Sequence, residues 1–95
     1  MNDADRLQRA RDELRVLRDK LALERDELRL QLHLARAELR EEFDAVERKW
    51  EHFQTKASAV AESAGEGGRE IAAAAGLLGE ELGEAYRRIR DAVKG

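Results

Sequence analysis

The sequence predicts an all-α protein, an antiparallel helical hairpin that associates into a coiled-coil-like multi-helix bundle. Three observations carry that prediction. Apolar residues recur at three- and four-residue steps along most of the 95 positions, the chain has no proline to interrupt a helix, and 41% of its residues are charged in the sign-mixed pattern of solvated helix faces. The aromatic payload is only Trp50, Tyr86, Phe43 and Phe53, so a thick globular core is not expected, and a single domain of this length sits near the edge of stability. The whole chain, 1–95, reads as one helical-hairpin domain.

The first helix is expected over about residues 3–63. Leu7, Ala10, Leu14, Leu17, Leu21, Leu28, Leu32, Ala35, Leu39, Phe43, Val46, Trp50, Phe53, Ala57, Val60 and Ala64 form its apolar stripe, with a single seven-residue step that passes over Glu24 and Arg25. At about 1.5 Å per residue such a helix would be about 90 Å long. Within it, Leu28-Arg29-Leu30-Gln31-Leu32-His33-Leu34 alternates as a strand would, but the segment lacks β-branched residues and turn signals, so helix is the better reading. At 100° per residue, Val16, Leu23, Leu30 and Leu34 then make a second apolar stripe opposite the first, and a helix apolar on two faces needs neighbours on two sides.

A turn is expected at about 64–68. Gly65, Gly67 and Gly68 fall within four residues, and each glycine costs a helix about 1 kcal/mol relative to alanine. The opposing signal is that the apolar phase runs through these glycines without a slip, which keeps one continuous rod as the alternative. A second helix follows over about 69–94. If the chain reverses near residue 66, positions whose numbers sum to about 132 face each other. Phe53 then meets Gly79, Trp50 meets Leu82 and Gly83, Val46 meets Tyr86, and Phe43 meets Ile89, large against small. The expected hairpin core is Phe43, Val46, Trp50, Phe53, Val60, Ile71, Leu78, Leu82, Tyr86 and Ile89, and it spans residues 37–95.

The shorter helix can cover only about 25 residues of the longer one. Residues 1–36 are left as an overhanging half whose leucines need partners: Leu7, Leu14, Leu17, Leu21, Leu23, Leu28, Leu30, Leu32 and Leu34 are the expected oligomer interface of a homodimer or homotetramer.

Composition and motifs exclude much else. Without cysteine there is no disulfide framework, thiolate nucleophile or Cys-ligated zinc site. His33 and His52 are nineteen positions apart and belong to no metal-binding pattern, so no metal or other cofactor is expected. The neighbouring carboxylates Glu41-Glu42 and Glu80-Glu81 point about 100° apart on a helix and do not converge as an acid/base pair. Thr55, Ser58 and Ser63 have no His and carboxylate placed to activate them. No catalytic residue and no small-molecule substrate is inferred, and an enzyme is not expected. The net charge of −3, from 18 basic and 21 acidic residues, has no basic block, which argues against nucleic acid as a partner. The acidic start of the chain lacks the basic and apolar regions of a signal peptide, and the expectation is a cytoplasmic protein.

Two binding readings remain. Ala61, Gly65, Gly68, Ala72, Gly76, Gly79 and Gly83 lie at steps of three and four, a ridge of small residues suited to close helix packing. The amphipathic C-terminal helix, ending in Arg87, Arg88, Arg90 and Lys94, could alternatively lie on a membrane surface. The run Glu24-Arg25-Asp26-Glu27-Leu28-Arg29-Leu30-Gln31-Leu32-His33-Leu34-Ala35-Arg36-Ala37-Glu38, followed by Glu47-Arg48-Lys49-Trp50-Glu51, resembles a group of small bacterial coiled-coil proteins of uncharacterised activity. The Ala/Gly-rich tail is similar in texture to stress-associated helical proteins of the late-embryogenesis-abundant kind. These resemblances imply a bacterial helical-hairpin protein without assigned activity, and they transfer no functional residue. Taken with the apolar stripes of the first helix, the expectation is a non-enzymatic protein that self-associates and acts as a structural, scaffold or stress-related interaction module.

Overall fold

The computed structural model describes residues 3–62 and 66–95, and these are helical almost throughout. Three helices follow one another: α1 (Asp3–Gln31), α2 (Ala37–Glu62) and α3 (Glu66–Lys94), with a 3₁₀ turn at Leu32–Leu34 after α1. A 29-residue helix is about 43 Å long, and the molecule measures 49 × 18 × 15 Å, so the helices lie side by side along one axis.

The direction of each helix follows from contacts between numbered residues. Arg11 reaches the Val60 carbonyl and Arg25 reaches Glu47, so α1 runs antiparallel to α2. Leu17 stands against Gly79 and Leu21 against Gly83, which places α1 parallel to α3. The result is an up-down-up bundle in which every helix touches both others.

The single helix expected over 3–63 is therefore corrected: it breaks at residues 32–36, and α1 folds back onto α2 and α3. Nothing in the local sequence demands this break, since it contains neither glycine nor proline. Burial decides it. Folding back buries Leu7, Leu14, Leu21 and Leu28, and four leucines at about 1.5–3 kcal/mol each contribute about 6–12 kcal/mol. The few helical hydrogen bonds forgone at the link are worth about 1 kcal/mol apiece.

The turn expected at about 64–68 is also corrected where the structure describes it, since residues 66–68 are helical. Gly65 lies outside the described residues, while Gly67 and Gly68 belong to the first turn of α3. The first N–H groups of a helix have no intrahelical acceptor anyway, so glycine there forfeits less than it would in mid-helix. Gly68 is buried and Gly67 exposed.

The core is one continuous cluster through all three helices. Of the residues expected in the hairpin core, Phe43, Val46, Trp50, Phe53, Val60, Leu82, Tyr86 and Ile89 are buried, and Ile71 and Leu78 are partly buried against them. Phe53 stands beside Gly79 as the pairing rule requires: a Cβ on Gly79 would lie 3.1 Å from Phe53 Cε1 and 2.5 Å from Leu17 Cδ2. The hydrogen at this position lets α1, α2 and α3 converge. Phe43 stacks on Tyr86, with ring centroids 6.3 Å apart, about one turn from the position the rule assigns. Helices present a given face only every three or four residues, so such a rule holds to within a turn.

Candidate functional site

The nine leucines expected at an oligomer interface divide into two groups. Leu7, Leu14, Leu21, Leu28 and Leu32 are buried within the chain and Leu17 is partly buried; their partners are α2 and α3 of the same molecule. Leu23, Leu30 and Leu34 are 61%, 71% and 98% exposed. Val16, at 69%, extends this exposed set.

Helix geometry explains the division. Leu14, Leu21 and Leu28 define the inward face of α1, and Val16, Leu23 and Leu30 lie about 160–200° round from it at 100° per residue. Their seven-residue spacing keeps them nearly in line, about 10.5 Å apart along the axis. The stripe faces away from both α2 and α3. Exposed Lys20 and Glu27 border it on one side, and exposed Asp19 and Asp26 on the other. These two aspartates sit 3.8 Å and 3.9 Å from Arg18 and Arg25 respectively. Single exposed leucines need no explanation, but a line of large apolar residues on one solvent face does.

The α3 face considered for a lipid surface is largely occupied. Leu82, Ala85, Tyr86 and Ile89 are buried in the bundle, leaving Leu77 as the large apolar residue of α3 that is exposed, at 64%. No helix among the described residues is long and apolar enough to cross a membrane.

A polar cluster lies under the stripe, at the junction of α1 and α2. The Arg25 guanidinium donates to both oxygens of Glu47, Nε to Oε1 at 2.6 Å and Nη2 to Oε2 at 2.5 Å. It also sits 5.6 Å from the Trp50 ring centroid, within range of a cation–π contact. The bidentate geometry fixes the guanidinium, and the hydrogen bond to Glu47 raises its pKa further. Beside it, the Tyr86 hydroxyl is buried and has no hydrogen-bond partner. Burial is the main cause of its raised pKa, with the Glu47 charge adding to it. The sequence carried one sign of this cluster: the seven-residue step in the apolar stripe falls where Arg25 stands. What it could not supply was the partner twenty-two residues away.

His33 and His52 are both exposed, and the described residues contain no group of three or more His, Asp or Glu side chains placed to hold a metal ion. Open grooves run between the helices. One between α1 and α2, of about 460 Å³, has Gln8, Arg11, Arg15 and Arg18 along its α1 side. Arg11 donates to the Val60 carbonyl and so joins α1 to α2, whereas Arg15 pairs with Asp12 and Arg18 with Asp19 within α1 itself. No protein-family model, curated protein or solved structure gives a significant match to this chain, and functional readings rest on its own residues.

Proposed function

We propose that this chain is a non-enzymatic interaction module, a three-helix bundle that pairs with a second copy of itself through the outer face of α1. The observation that supports it is the exposed line Val16, Leu23, Leu30 on a helix whose opposite face is fully used. The line is symmetric about Leu23, with one apolar residue seven positions to either side. A two-fold axis through Leu23 therefore places Val16 of each copy against Leu30 of the other, the self-complementarity that a closed dimer requires. In that antiparallel arrangement, like flanks face each other, so Lys20 meets the partner's Glu27 twice over. Asp19 and Asp26 occupy the other flank, where Arg18 and Arg25 lie within 4 Å of them and moderate their repulsion.

Light scattering tests this directly. The parent protein is expected to give twice the 10.8 kDa chain mass, and Leu23→Glu with Leu30→Glu to give the monomer at unchanged helix content. Lys20→Glu should weaken pairing and Lys20→Glu with Glu27→Lys should restore it, because the swap preserves the facing charges. A parent protein that stays monomeric at several hundred micromolar overturns the proposal.

A further inference from the structure

The link between α1 and α2 consists of residues that favour the helix it interrupts. Leu32-His33-Leu34-Ala35-Arg36 contains no glycine, proline or β-branched residue, and alanine, leucine and arginine are among the strongest helix formers. Its closed form is held lightly. Gln31 provides no side-chain cap, Ala35 is extended at φ −89° and ψ 164°, and the backbone bonds that close the link are Ala35 N–H to Leu32 O, and Leu39 and Arg40 N–H to Arg36 O. Leu34 is 98% exposed, and of the link residues only Leu32 is buried, with Ala35 partly buried against the core. Breaking the helix here replaces continuous α-helical bonding across 32–36 by this 3₁₀ turn and these few bonds.

The apolar phase continues across the break. Leu28, Leu32, Ala35, Leu39 and Phe43 follow at steps of 4, 3, 4 and 4, which keeps them on one face of a straight helix. All are buried or packed against the core in the closed chain, so straightening aligns the inward faces of α1 and α2 without turning either to solvent.

We infer that the 32–36 link straightens and α1 is exchanged between two copies, giving a domain-swapped dimer. In it, α1 and α2 form one helix of 60 residues, about 90 Å long, and two such helices lie antiparallel with each α3 beside its own α2. Because α1 is antiparallel to α2 in the closed chain, its contacts with α2 and α3 are re-formed across the pair: Arg25 binds the partner's Glu47, and Leu17 packs on the partner's Gly79. The inward leucines of α1 stay covered, while helical hydrogen bonds are recovered at both links. The closed form is favoured by the entropy of remaining a single molecule, so concentration sets the balance. This exchange goes beyond pairing through the outer face of α1 and does not use that face.

The test is refolding from denaturant at millimolar chain concentration, read by light scattering and small-angle X-ray scattering. The parent is expected to yield a dimer with a longest dimension of about 90 Å, against 49 Å for the closed chain. Arg36→Pro should reduce the yield of this long dimer at least tenfold. Proline at 36 suits the extended Ala35 before it and spares the three bonds that close the link, but breaks a continuous helix. Leu34→Gly with Ala35→Gly should act in the same direction without proline, so a misfolded Arg36→Pro does not end the test. Leu23→Glu with Leu30→Glu should leave the long dimer intact, which separates it from pairing through the outer face. Failure to form any dimer, a dimer no longer than about 50 Å, or a yield that neither link variant lowers overturns the exchange.

Discussion

Two lines of apolar residues run along α1 at the same seven-residue spacing, and they meet opposite fates. Leu7, Leu14, Leu21 and Leu28 are buried, whereas Val16, Leu23 and Leu30 are at least 61% exposed. Residue type and periodicity do not separate them. What separates them is which side of the helix has α2 and α3 beside it, and that depends on a chain reversal at 32–36 that the local sequence does not announce. The inner line stabilises the monomer; the outer line is available to a second molecule.

The sharpest way to break this contrast is to truncate one residue from each line. Leu21→Ala removes a side chain that is 1% exposed and should cost about 2–5 kcal/mol, through lost transfer energy and the cavity left behind. Leu23→Ala, two positions away, should change monomer stability by less than about 0.5 kcal/mol. Urea denaturation, with the Leu23 variant measured below its association range, reads both. Equal losses would show that the two faces are not distinct.

Glycines of α3 probe the inner line from the other side. Gly79→Val must displace Leu17 and Phe53, whose atoms would stand 2.5 Å and 3.1 Å from a Cβ, and should destabilise by about 1–3 kcal/mol. Gly83→Ala places its Cβ at an ordinary 3.9 Å from Leu21 Cδ2. It should therefore stabilise by about 0.5–1 kcal/mol through helix propensity alone. Opposite signs in thermal melts are the expected result.

The Arg25–Glu47 pair tests whether a polar contact contributes at the edge of the inner line. Arg25→Met keeps most of the packing on Trp50 but leaves Glu47 without its bidentate partner. Both side chains are about three-quarters or more buried, so a loss of about 1–2 kcal/mol is expected, and raised salt should diminish it only slightly. A fully exposed pair would lose less than about 1 kcal/mol.

The smallest effect at neutral pH is expected for Tyr86→Phe, within about 0.5 kcal/mol, since the hydroxyl that it removes has no partner to lose. Alkaline pH should reveal the difference. Burial raises the Tyr86 pKa, so between its unfolded value near 10 and the higher folded one, the unfolded chain has released a proton that the folded chain retains. The Tyr86 contribution to stability is then constant below about pH 10 and falls above it by up to about 1.4 kcal/mol per pH unit. Tyr86→Phe should remove that part of the decline. An identical alkaline slope for both proteins would place the Tyr86 hydroxyl in water.

Helix content and the inward stripe were legible in the sequence because periodicity is a local property: each residue's angular position follows from its number. The α2–α3 contacts at Phe53 and Gly79 were also legible, since size complementarity leaves a trace once a reversal point is guessed. The link at 32–36 left none. Its residues favour helix, and the reversal is stabilised by leucines up to 25 positions away. The Arg25–Glu47 pair showed only half of itself, as a polar interruption in an apolar series.

By itself, the sequence determined that the chain is helical, which residues share a face, and that α1 has two apolar faces. Only the tertiary structure decided that α1 folds back, and hence which of those faces is core and which is surface. The physical reason is that helix propensity and periodicity act over a turn or two, whereas the several kilocalories that break a favourable helix come from burying side chains against segments far along the chain, as Leu17 and Leu21 are against Gly79 and Gly83.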